Sequence, residues 1–506
     1  MVDRREFLRT ITLASGAVFL GVPFGCGRTN DIRQIGQGSQ QFRRAHSFVR
    51  DRQALPAASR SSSAKVCIVG GGFAGVTAAW LLAQQGVDCI MLEAEPVVGG
   101  CARTYQPNHV QQSVPLGNVY FVERSETLDA MATSVGIGIR ECPDDVYYVG
   151  DSVVKDLWTD ADITTVAVTA QDADGLTRFR DDLLAMTDAQ LPLYPVREAS
   201  AELIARYDNI SAFDFIQQYD SPTLAMVLDA YSRSSMGTGL TDVNAFCLLN
   251  FYSDEFGASF DKGRWIMQGG TSELLKRVST ALSDVRTDRL AYSVEQHGSG
   301  WSVLAVGSDG IVERIHAEHV ILSSPLFSTR ALLRGSNLAQ AARIPALQYA
   351  PYMTIHMHSR QALTPPGSYD TWHLPAGEHY TDLVSTADVS VPLADQGCWT
   401  SAYAPLPVHR RSEMMNEESI VRITNAAVDA VLRRLDLPAD AVDDVYAWSW
   451  GHGVVVPSVG SHTAVRDLAG LMPRGIHLAC TDVDAAPSIE NAIVSAEHVV
   501  AQLLRV

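Results

Sequence analysis

The stretch that decides the fold is Val69-Gly70-Gly71-Gly72-Phe73-Ala74-Gly75, a G-x-G-x-x-G pattern between a strand-like segment and a helix-like segment. Gly70 permits a tight turn, Gly72 lets the backbone approach a pyrophosphate, and Gly75 lets helix and strand pack closely. A helix that begins at Phe73 and Ala74 turns its unpaired N–H groups toward the phosphates. The pattern therefore predicts a dinucleotide-binding turn.

The residues around this turn predict a β-α-β unit. A strand over 65–69 precedes the glycines, a helix over 73–85 ends at Gly86, and a second strand covers 87–92. Glu93 ends the second strand about 20 residues after the glycines, where a carboxylate accepts hydrogen bonds from ribose hydroxyls. Either NAD or FAD fits such a unit, and the residues that follow decide between them.

The segment after Glu93 carries a family resemblance. Residues 94–104 read Ala-Glu-Pro-Val-Val-Gly-Gly-Cys-Ala-Arg-Thr and resemble the Glu-Ala…Gly-Gly-Arg…Thr signature of the flavin-containing amine oxidase and phytoene desaturase superfamily. The resemblance implies that Ala94 lies at the cofactor and that Gly99 and Gly100 pass close to the pyrophosphate. It also implies charge-assisted contacts from Arg103. The arginine that usually follows the glycine pair is a cysteine here, which leaves Arg103 alone in that role.

The resemblance continues to the C-terminus and is specific for FAD. It implies that Gly117 and Asn118 run past the flavin ring and that the backbone at Ala291 contacts adenine. In the superfamily an acidic residue at the position of Asp482 binds the ribityl or phosphate region of FAD. The helix that begins near Ile489 then points its positive end at the flavin ring. An NAD-dependent dehydrogenase has no need of this element.

The predicted fold is α/β, with a Rossmann-type FAD-binding domain assembled from separated segments and an α+β substrate domain, as in flavin amine oxidases. The FAD-binding parts are expected at about 64–125, 264–325 and 446–506. The substrate domain is expected at about 130–260, which is mostly helical, and 326–445, which contains a strand-rich stretch. Together these segments make residues 64–506 one FAD-dependent oxidoreductase.

The composition excludes several classes of protein. The chain has 506 residues and a formal net charge of −18. That charge argues against a nucleic-acid partner, because such a protein clusters Lys and Arg to neutralise phosphates. The eight cysteines form no C-x-x-C pair and no metal-ligand spacing, so we expect no metal site and no disulfide in the core.

The first residues resemble a twin-arginine export signal over 1–26. Arg4-Arg5 is followed by Phe7-Leu8 and by a short apolar run over 11–24. The alternative is a buried amphipathic helix after a chance Arg-Arg pair. The twin-arginine machinery carries folded proteins, which suits a protein that acquires FAD in the cytoplasm, so we expect an exported, periplasmic location. Cys26 resembles a lipoprotein cysteine that would attach the chain to a membrane, and 27–63 reads as a polar linker.

Candidate catalytic residues are few. Amine oxidases of this superfamily place a lysine near the flavin on the strand that here reads Tyr349-Ala-Pro-Tyr-Met-Thr-Ile-His, so that lysine is missing and Lys262 is the one remote candidate. His452, in Trp-Ser-Trp-Gly-His-Gly at 448–453, lies in the stretch that passes the flavin ring in the superfamily. This imidazole is an acid, a base or a partner of the reduced flavin. Its alternative is a structural histidine in a loop.

Several further side chains are weighed against structural roles. Tyr252, Asp254 and Glu255 follow the helical insertion and could face the substrate, although a surface loop is the simpler expectation for the two acids. The aromatic residues Trp372, Tyr380 and Trp399 are expected in the core rather than at the pocket.

The sequence thus predicts an exported FAD-dependent oxidoreductase that moves a hydride from an organic small molecule to FAD, with oxygen or a quinone as the electron acceptor. Three alternatives remain open. They are an amine or polyamine oxidase that releases peroxide, a desaturase of an apolar substrate, and a flavin-bound assembly factor without turnover.

Overall fold

The computed structural model describes residues 32–35, 44–106, 113–188, 196, 199–335, 339–385 and 397–505. The strands are β1 (Ile32–Ile35), β2 (Arg60–Val69), β3 (Cys89–Leu92), β4 (Thr104–Tyr105), β5 (Val114–Pro115), β6 (Ile139–Glu141), β7 (Val146–Val149), β8 (Ser152–Val154), β9 (Trp265–Met267), β10 (Val285–Arg286), β11 (Arg289–His297), β12 (Gly300–Gly307), β13 (Val312–Leu322), β14 (Tyr349–Ser359), β15 (Asp370–Leu374), β16 (Asp382–Ser385), β17 (Cys398–Pro405), β18 (Val442–Val455) and β19 (Ile476–Leu478).

The α-helices alternate with these strands in the first part of the chain and cluster in the middle. They are α1 (Phe73–Gln84), α2 (Glu126–Ser134), α3 (Asp160–Val166), α4 (Ala170–Asp188), α5 (Ala201–Asp208), α6 (Ala212–Ile216), α7 (Pro222–Met236), α8 (Ala245–Tyr252), α9 (Thr271–Thr280), α10 (Leu326–Gly335), α11 (Glu417–Arg434), α12 (Ser461–Val465) and α13 (Ile489–Leu504). None of the helices in the described segments is long and apolar enough to cross a membrane.

The first sheet builds the predicted dinucleotide domain. Its order is β10-β3-β2-β13-β12-β11, and β19 pairs with β13. The pairs β10–β3, β3–β2, β2–β13 and β13–β19 are parallel. The end of β2 is buried without alternation over Val66–Val69, as expected for a parallel strand covered on both faces. Helices α1 and α13 share one apolar core against this sheet.

The second sheet has the order β1-β18-β14-β17-β16-β15-β7-β8. Side chains alternate along its central strands. On β14, Met353, Ile355 and Met357 share one core with the apolar face of α11, which includes Val428. The side chains between them, such as Thr354, point to the opposite face. Helix α11 therefore covers one face of the sheet and leaves the other for the interior of the molecule.

The predicted helical region forms a core of its own, with Trp158, Phe179 and Tyr252 among its buried side chains. One helix expected over 200–219 is divided into α5 and α6. Ser211 causes the break, because its hydroxyl caps α6 by accepting from the Asp214 N–H at 3.0 Å. Serine favours such caps over helix interiors, since its side chain competes for backbone hydrogen bonds.

The predicted linker 27–63 makes more contacts than a solvated spacer would. Strand β1 pairs in parallel with β18, and Arg44 forms a 2.8 Å ion pair with Asp288. Val49 is buried against the first sheet. The sequence does not predict such contacts, because one charged and one apolar side chain in a short polar segment give no periodicity. The predicted export signal, with Arg4, Arg5 and Cys26, lies outside the described residues.

Candidate functional site

A cavity of about 530 Å³ lies between the two sheets. The first sheet contributes the glycine turn over 70–74, the segment 92–94 and the backbone at Ala291. The second sheet contributes the inward face of its central strands, and the start of α13 closes a further side through Ser488, Ile489 and Glu490. The dinucleotide turn and the substrate-domain sheet therefore open into one space.

The glycine turn has the geometry that its sequence predicts. Gly70 adopts φ +113°, and a Cβ on Gly75 would lie 1.9 Å from the Gly70 carbonyl oxygen, so helix and strand touch there. A Cβ on Gly100 would lie 3.1 Å from the Gly72 Cα. The two glycine segments thus meet at the cavity wall, where Gly99 also has a positive φ of 134°.

Glu93 stands at the same wall and is only 8% exposed. One carboxylate oxygen accepts from the Gly71 N–H at 2.7 Å and the other accepts from the Glu95 N–H at 2.8 Å. Burial raises the pKa of this carboxyl, and the two backbone donors oppose that rise. The side chain is therefore fixed, and each oxygen keeps a lone pair for a further donor.

Arg103 makes contacts that the sequence did not predict. Its guanidinium lies over the indoles of Trp448 and Trp450, 5.1 and 5.3 Å from their ring centres. It also forms a 3.2 Å ion pair with Glu95 and donates to the Gly100 carbonyl at 3.1 Å. The side chain is absent from the described lining of the cavity. Arg103 therefore holds the Gly100 turn in place, and its contact with a pyrophosphate stays a prediction.

Asp482 lines the cavity and is 4% exposed. One of its oxygens accepts from the Leu326 N–H at 2.8 Å and from the Tyr349 hydroxyl at 2.5 Å. Burial raises the pKa of this carboxyl. The residue joins the starts of α10 and β14 to the C-terminal segment. Just beyond it, the Ser488 hydroxyl caps α13 by accepting from Asn491, which directs the helix start at Ile489 into the cavity wall.

His452 also lines the cavity, close to Asp482. Its ring stacks on Phe327 with 4.4 Å between centroids and meets Tyr349 edge-on at 5.8 Å. Burial, together with the positive charge of Arg411, lowers the pKa of His452 to about 4. This shift favours the neutral imidazole at neutral pH among the roles weighed above.

The inward face of the second sheet holds the segment predicted to run past the flavin. The Leu116 carbonyl accepts from Trp450 Nε1 at 2.6 Å and from the Thr354 hydroxyl at 3.1 Å. The Gly117 carbonyl accepts from the Tyr403 hydroxyl at 2.9 Å. These three donors come from three neighbouring strands, and register places Thr354 opposite Tyr403. The sequence alone did not identify them as site residues.

The structure contradicts the surface location expected for Glu255. Its side chain is 6% exposed and lines the cavity. One oxygen accepts from the hydroxyls of Tyr120 at 3.3 Å and Tyr231 at 3.4 Å, and Arg264 lies 3.7 Å from the other. Burial raises its pKa to about 7. The loop after α8 turns inward here and places Glu255 at the cavity, although the surrounding sequence is polar.

The other weighed residues divide between site and core. Asp254 and Lys262 form a 3.4 Å ion pair away from the cavity. Each of the four lysines of the chain lies within the described segments, and none lines the cavity. Trp372 does line it, whereas Tyr380 and Trp399 belong to the core as predicted. Tyr252 is buried in the helical core.

Comparison with known proteins agrees with this architecture. The NAD(P)-binding Rossmann-like domain family matches residues 68–133. No curated protein sequence matches the chain. The solved structure of wild-type putrescine oxidase bound to putrescine superposes with a TM-score of 0.65 at 16% identity, covering 88% of this chain and 100% of that chain.

Two more solved structures extend the comparison. Cyclohexylamine oxidase from Brevibacterium oxydans IH-35A gives a TM-score of 0.64 at 15% identity and covers 88% of this chain and 100% of its own. An oxidoreductase from Methanosarcina mazei gives 0.62 at 13% identity, with 87% and 100% covered. The chain has the fold of these proteins. The predicted α/β class with a Rossmann-type domain is therefore confirmed, and the likeness extends over both sheets.

Proposed function

We propose that the protein is an FAD-dependent oxidoreductase that removes a hydride from an organic small molecule. The observation that carries the proposal is the shared cavity. One end is a glycine turn built for a pyrophosphate, and the other is a sheet face of tyrosine, tryptophan and acidic side chains. A dinucleotide bound along the turn would extend directly into the second compartment, where a substrate could meet it.

The residues present fit FAD. Gly72 and Gly100 carry no side chain where the two loops approach each other, which leaves room for a pyrophosphate. Asn118 Oδ1 and the Ser323 hydroxyl are buried at the cavity and have no hydrogen-bond partner among the described residues. A ligand with polar groups would satisfy them. Glu93 is positioned for a ribose, and the start of α13 offers its positive end.

FAD supplies a redox centre that accepts a hydride from a substrate carbon. The chain supplies orientation. Thr354, Tyr403 and Trp450 fix the backbone at Leu116 and Gly117, which flanks the proposed position of the flavin ring. Neutral His452 can donate or accept one hydrogen bond there. Aromatic walls exclude water from the compartment, which strengthens each of these interactions.

The described cavity lining contains no lysine, which disfavours a mechanism like that of the amine oxidases that use one. An amine can still be the substrate. For the location, we propose export through the twin-arginine machinery to the periplasm, supported by Arg4-Arg5 and the apolar run that follows. Membrane attachment through Cys26 belongs to the same proposal. The contacts of β1 and Arg44 shorten the part of 27–63 that can act as a tether.

The test of the oxidoreductase activity is anaerobic titration of the purified protein. We expect flavin absorbance in the protein as isolated and bleaching by a member of a panel of amines, amino acids and isoprenoids. Admission of oxygen or addition of a quinone should restore the colour. A protein without flavin would overturn the proposal. A flavin that no compound of the panel reduces would favour the non-catalytic assembly factor.

A further inference from the structure

The cavity ends in a pair of aspartates on two neighbouring strands. In the antiparallel pair β15–β16, Asp370 lies opposite Val384 and Trp372 lies opposite Asp382. Side chains of directly opposed and alternate residues share one face of a sheet, so Asp370 and Asp382 are diagonal neighbours on the same face. Both line the cavity together with Trp372. Neither aspartate was a candidate from the sequence.

Asp382 is buried without full satisfaction of its carboxylate. The residue is 1% exposed. One oxygen accepts from the Thr381 hydroxyl. The Ser234 hydroxyl also interacts with the carboxyl and lowers its pKa, but Oδ2 makes no hydrogen bond of normal geometry in the described part of the chain. Asp370 is 3% exposed and accepts from the Thr371 N–H at 2.8 Å. A buried carboxylate without a partner is costly, so a donor from a ligand would be strongly favoured.

Three aromatic donors that line the cavity here are already engaged. The Tyr352 hydroxyl donates to the Ser234 carbonyl at 2.9 Å. The Tyr403 hydroxyl donates to Gly117, and Trp372 Nε1 donates to Asp145 at 3.1 Å. The missing partner of Asp382 therefore does not come from these rings. Their π-systems instead provide walls that attract a cation.

This end of the cavity is rich in acidic side chains. Asp145 lies near the pair, and Arg264 faces Asp370, Asp382, Asp145 and Glu255. Arg264 is already paired with Asp145 and lies 3.7 Å from Glu255. Burial raises the pKa of Asp370, with Asp382 adding to the rise, and burial raises that of Asp382 to about 7. The empty pair thus retains a proton that a ligand cation could replace.

These observations exclude two kinds of ligand. An anion would be repelled by the carboxylates, and an apolar group would leave Asp382 Oδ2 unsatisfied. A protonated amine satisfies the carboxylates, replaces the proton and lies against the aromatic walls. The same chemistry suits a quaternary ammonium less well, because it donates no hydrogen bond.

We infer that Asp370 and Asp382 bind a protonated nitrogen of the substrate, while another part of the same molecule reaches the flavin. The inference rests on the proposed function. The Tyr403 hydroxyl contacts Gly117, and β17, which carries Tyr403, runs beside β16, which carries Asp382. The aspartate pair and the backbone at Gly117 therefore lie at different places along the same cavity. The substrate class is a small organic amine whose cation lies away from the reacting carbon.

The experiment compares two probes of similar shape, n-butylammonium and n-butanol, by their effect on the flavin absorbance of the holoprotein at a pH of about 8. A hydrogen bond to a charged group is worth enough for a preference of about tenfold or more for the ammonium ion. Asp370→Asn and Asp382→Asn should each reduce that preference by about tenfold. Asp443→Asn is the matched control, because it removes the same charge from β18 at a side chain that is 47% exposed. It should retain the wild-type preference.

Three outcomes separate the hypotheses. Equal binding of the two probes by the wild-type holoprotein would overturn the cation site, and this comparison needs no variant to fold. An unchanged preference in both aspartate variants would also overturn it. In either case, a flavin that the protein retains and that the substrate panel bleaches would still support the proposed oxidoreductase. A wild-type protein without flavin, or one whose flavin no compound of the panel reduces, would remove the proposed function itself.

Discussion

A substitution at Gly72 can test cofactor binding without disturbing the fold. Its φ of −80° is open to any residue, and an added Cβ would meet only the Gly100 Cα, at 3.8 Å. We therefore expect Gly72→Val to fold and to lose its flavin, because the side chain fills the pyrophosphate space. Gly75→Ala is the contrasting variant, since its Cβ would overlap the Gly70 carbonyl and prevent folding. Flavin absorbance per protein and circular dichroism measure both effects, and full flavin occupancy in Gly72→Val would contradict the site.

His452 is expected to act as a neutral group. With its pKa lowered to about 4, its charge does not change between about pH 6 and 8. His452→Ala should slow flavin reduction far more than it weakens FAD binding, and the ratio of wild-type to variant rate should be constant over that range. His477→Ala is the control, because its pKa is also lowered to about 4 and it lies outside the described cavity lining. Stopped-flow reduction at the wild-type rate would return His452 to a structural role.

Asp382 should make the protein less stable as the pH rises. Its folded pKa, raised to about 7, exceeds the unfolded value, so the folded state holds the extra proton between about pH 4 and 7. Stability is full below the unfolded pKa and falls as pH rises through the folded pKa. Asp382→Asn removes that fall. The free energy of unfolding of the variant relative to wild type should therefore be higher at pH 8 than at pH 5, by about 1 kcal/mol or more. Thermal melts measure it, and an equal effect at both pH values would refute the ionisation.

The sheet facing the cavity can be tested through Tyr403. Removing its hydroxyl leaves the Gly117 carbonyl without a 2.9 Å donor, which should cost about 1 kcal/mol of stability. Because the freed backbone flanks the proposed flavin, Tyr403→Phe should also shift the flavin spectrum and slow its reduction. Tyr380→Phe removes a hydroxyl from an equally buried ring in the core behind the sheet. A spectrum altered in Tyr380→Phe but not in Tyr403→Phe would place the flavin elsewhere.

The strands show what sequence could and could not predict. Local patterns identified β2, α1 and β3, since their glycines and apolar runs are contiguous. Asp370 and Asp382 escaped notice because they become neighbours only through the β15–β16 register. Glu255 was weighed as a site residue but expected at the surface, because nothing in a polar loop shows that it turns inward. The indole partners of Arg103 were not predicted because they lie far along the chain.

At the scale of the whole molecule, the cavity is assembled from both sheets, so neither domain forms it alone. Asp482 bridges the C-terminal segment to Tyr349 on the second sheet and to Leu326. A cofactor bound there would be enclosed as the two sheets come together. Binding to the folded state alone stabilises it by mass action. FAD bound before export would therefore stabilise the folded protein, which makes the order of folding and export important.

This order leads to the prediction for export. A protein that folds around FAD in the cytoplasm must be exported in its folded state, and the twin-arginine route carries folded proteins. Replacing Arg4 and Arg5 by Lys should therefore retain a folded, flavin-loaded precursor in the cytoplasm, because the paired arginines are the feature that the transporter reads. Arg9→Lys, in the same segment, is the control and should be exported normally. Fractionation with flavin absorbance measures the outcome. Periplasmic accumulation of the double variant at the normal rate would mean that the segment is read by another route, and the flavin would then have to be acquired after export.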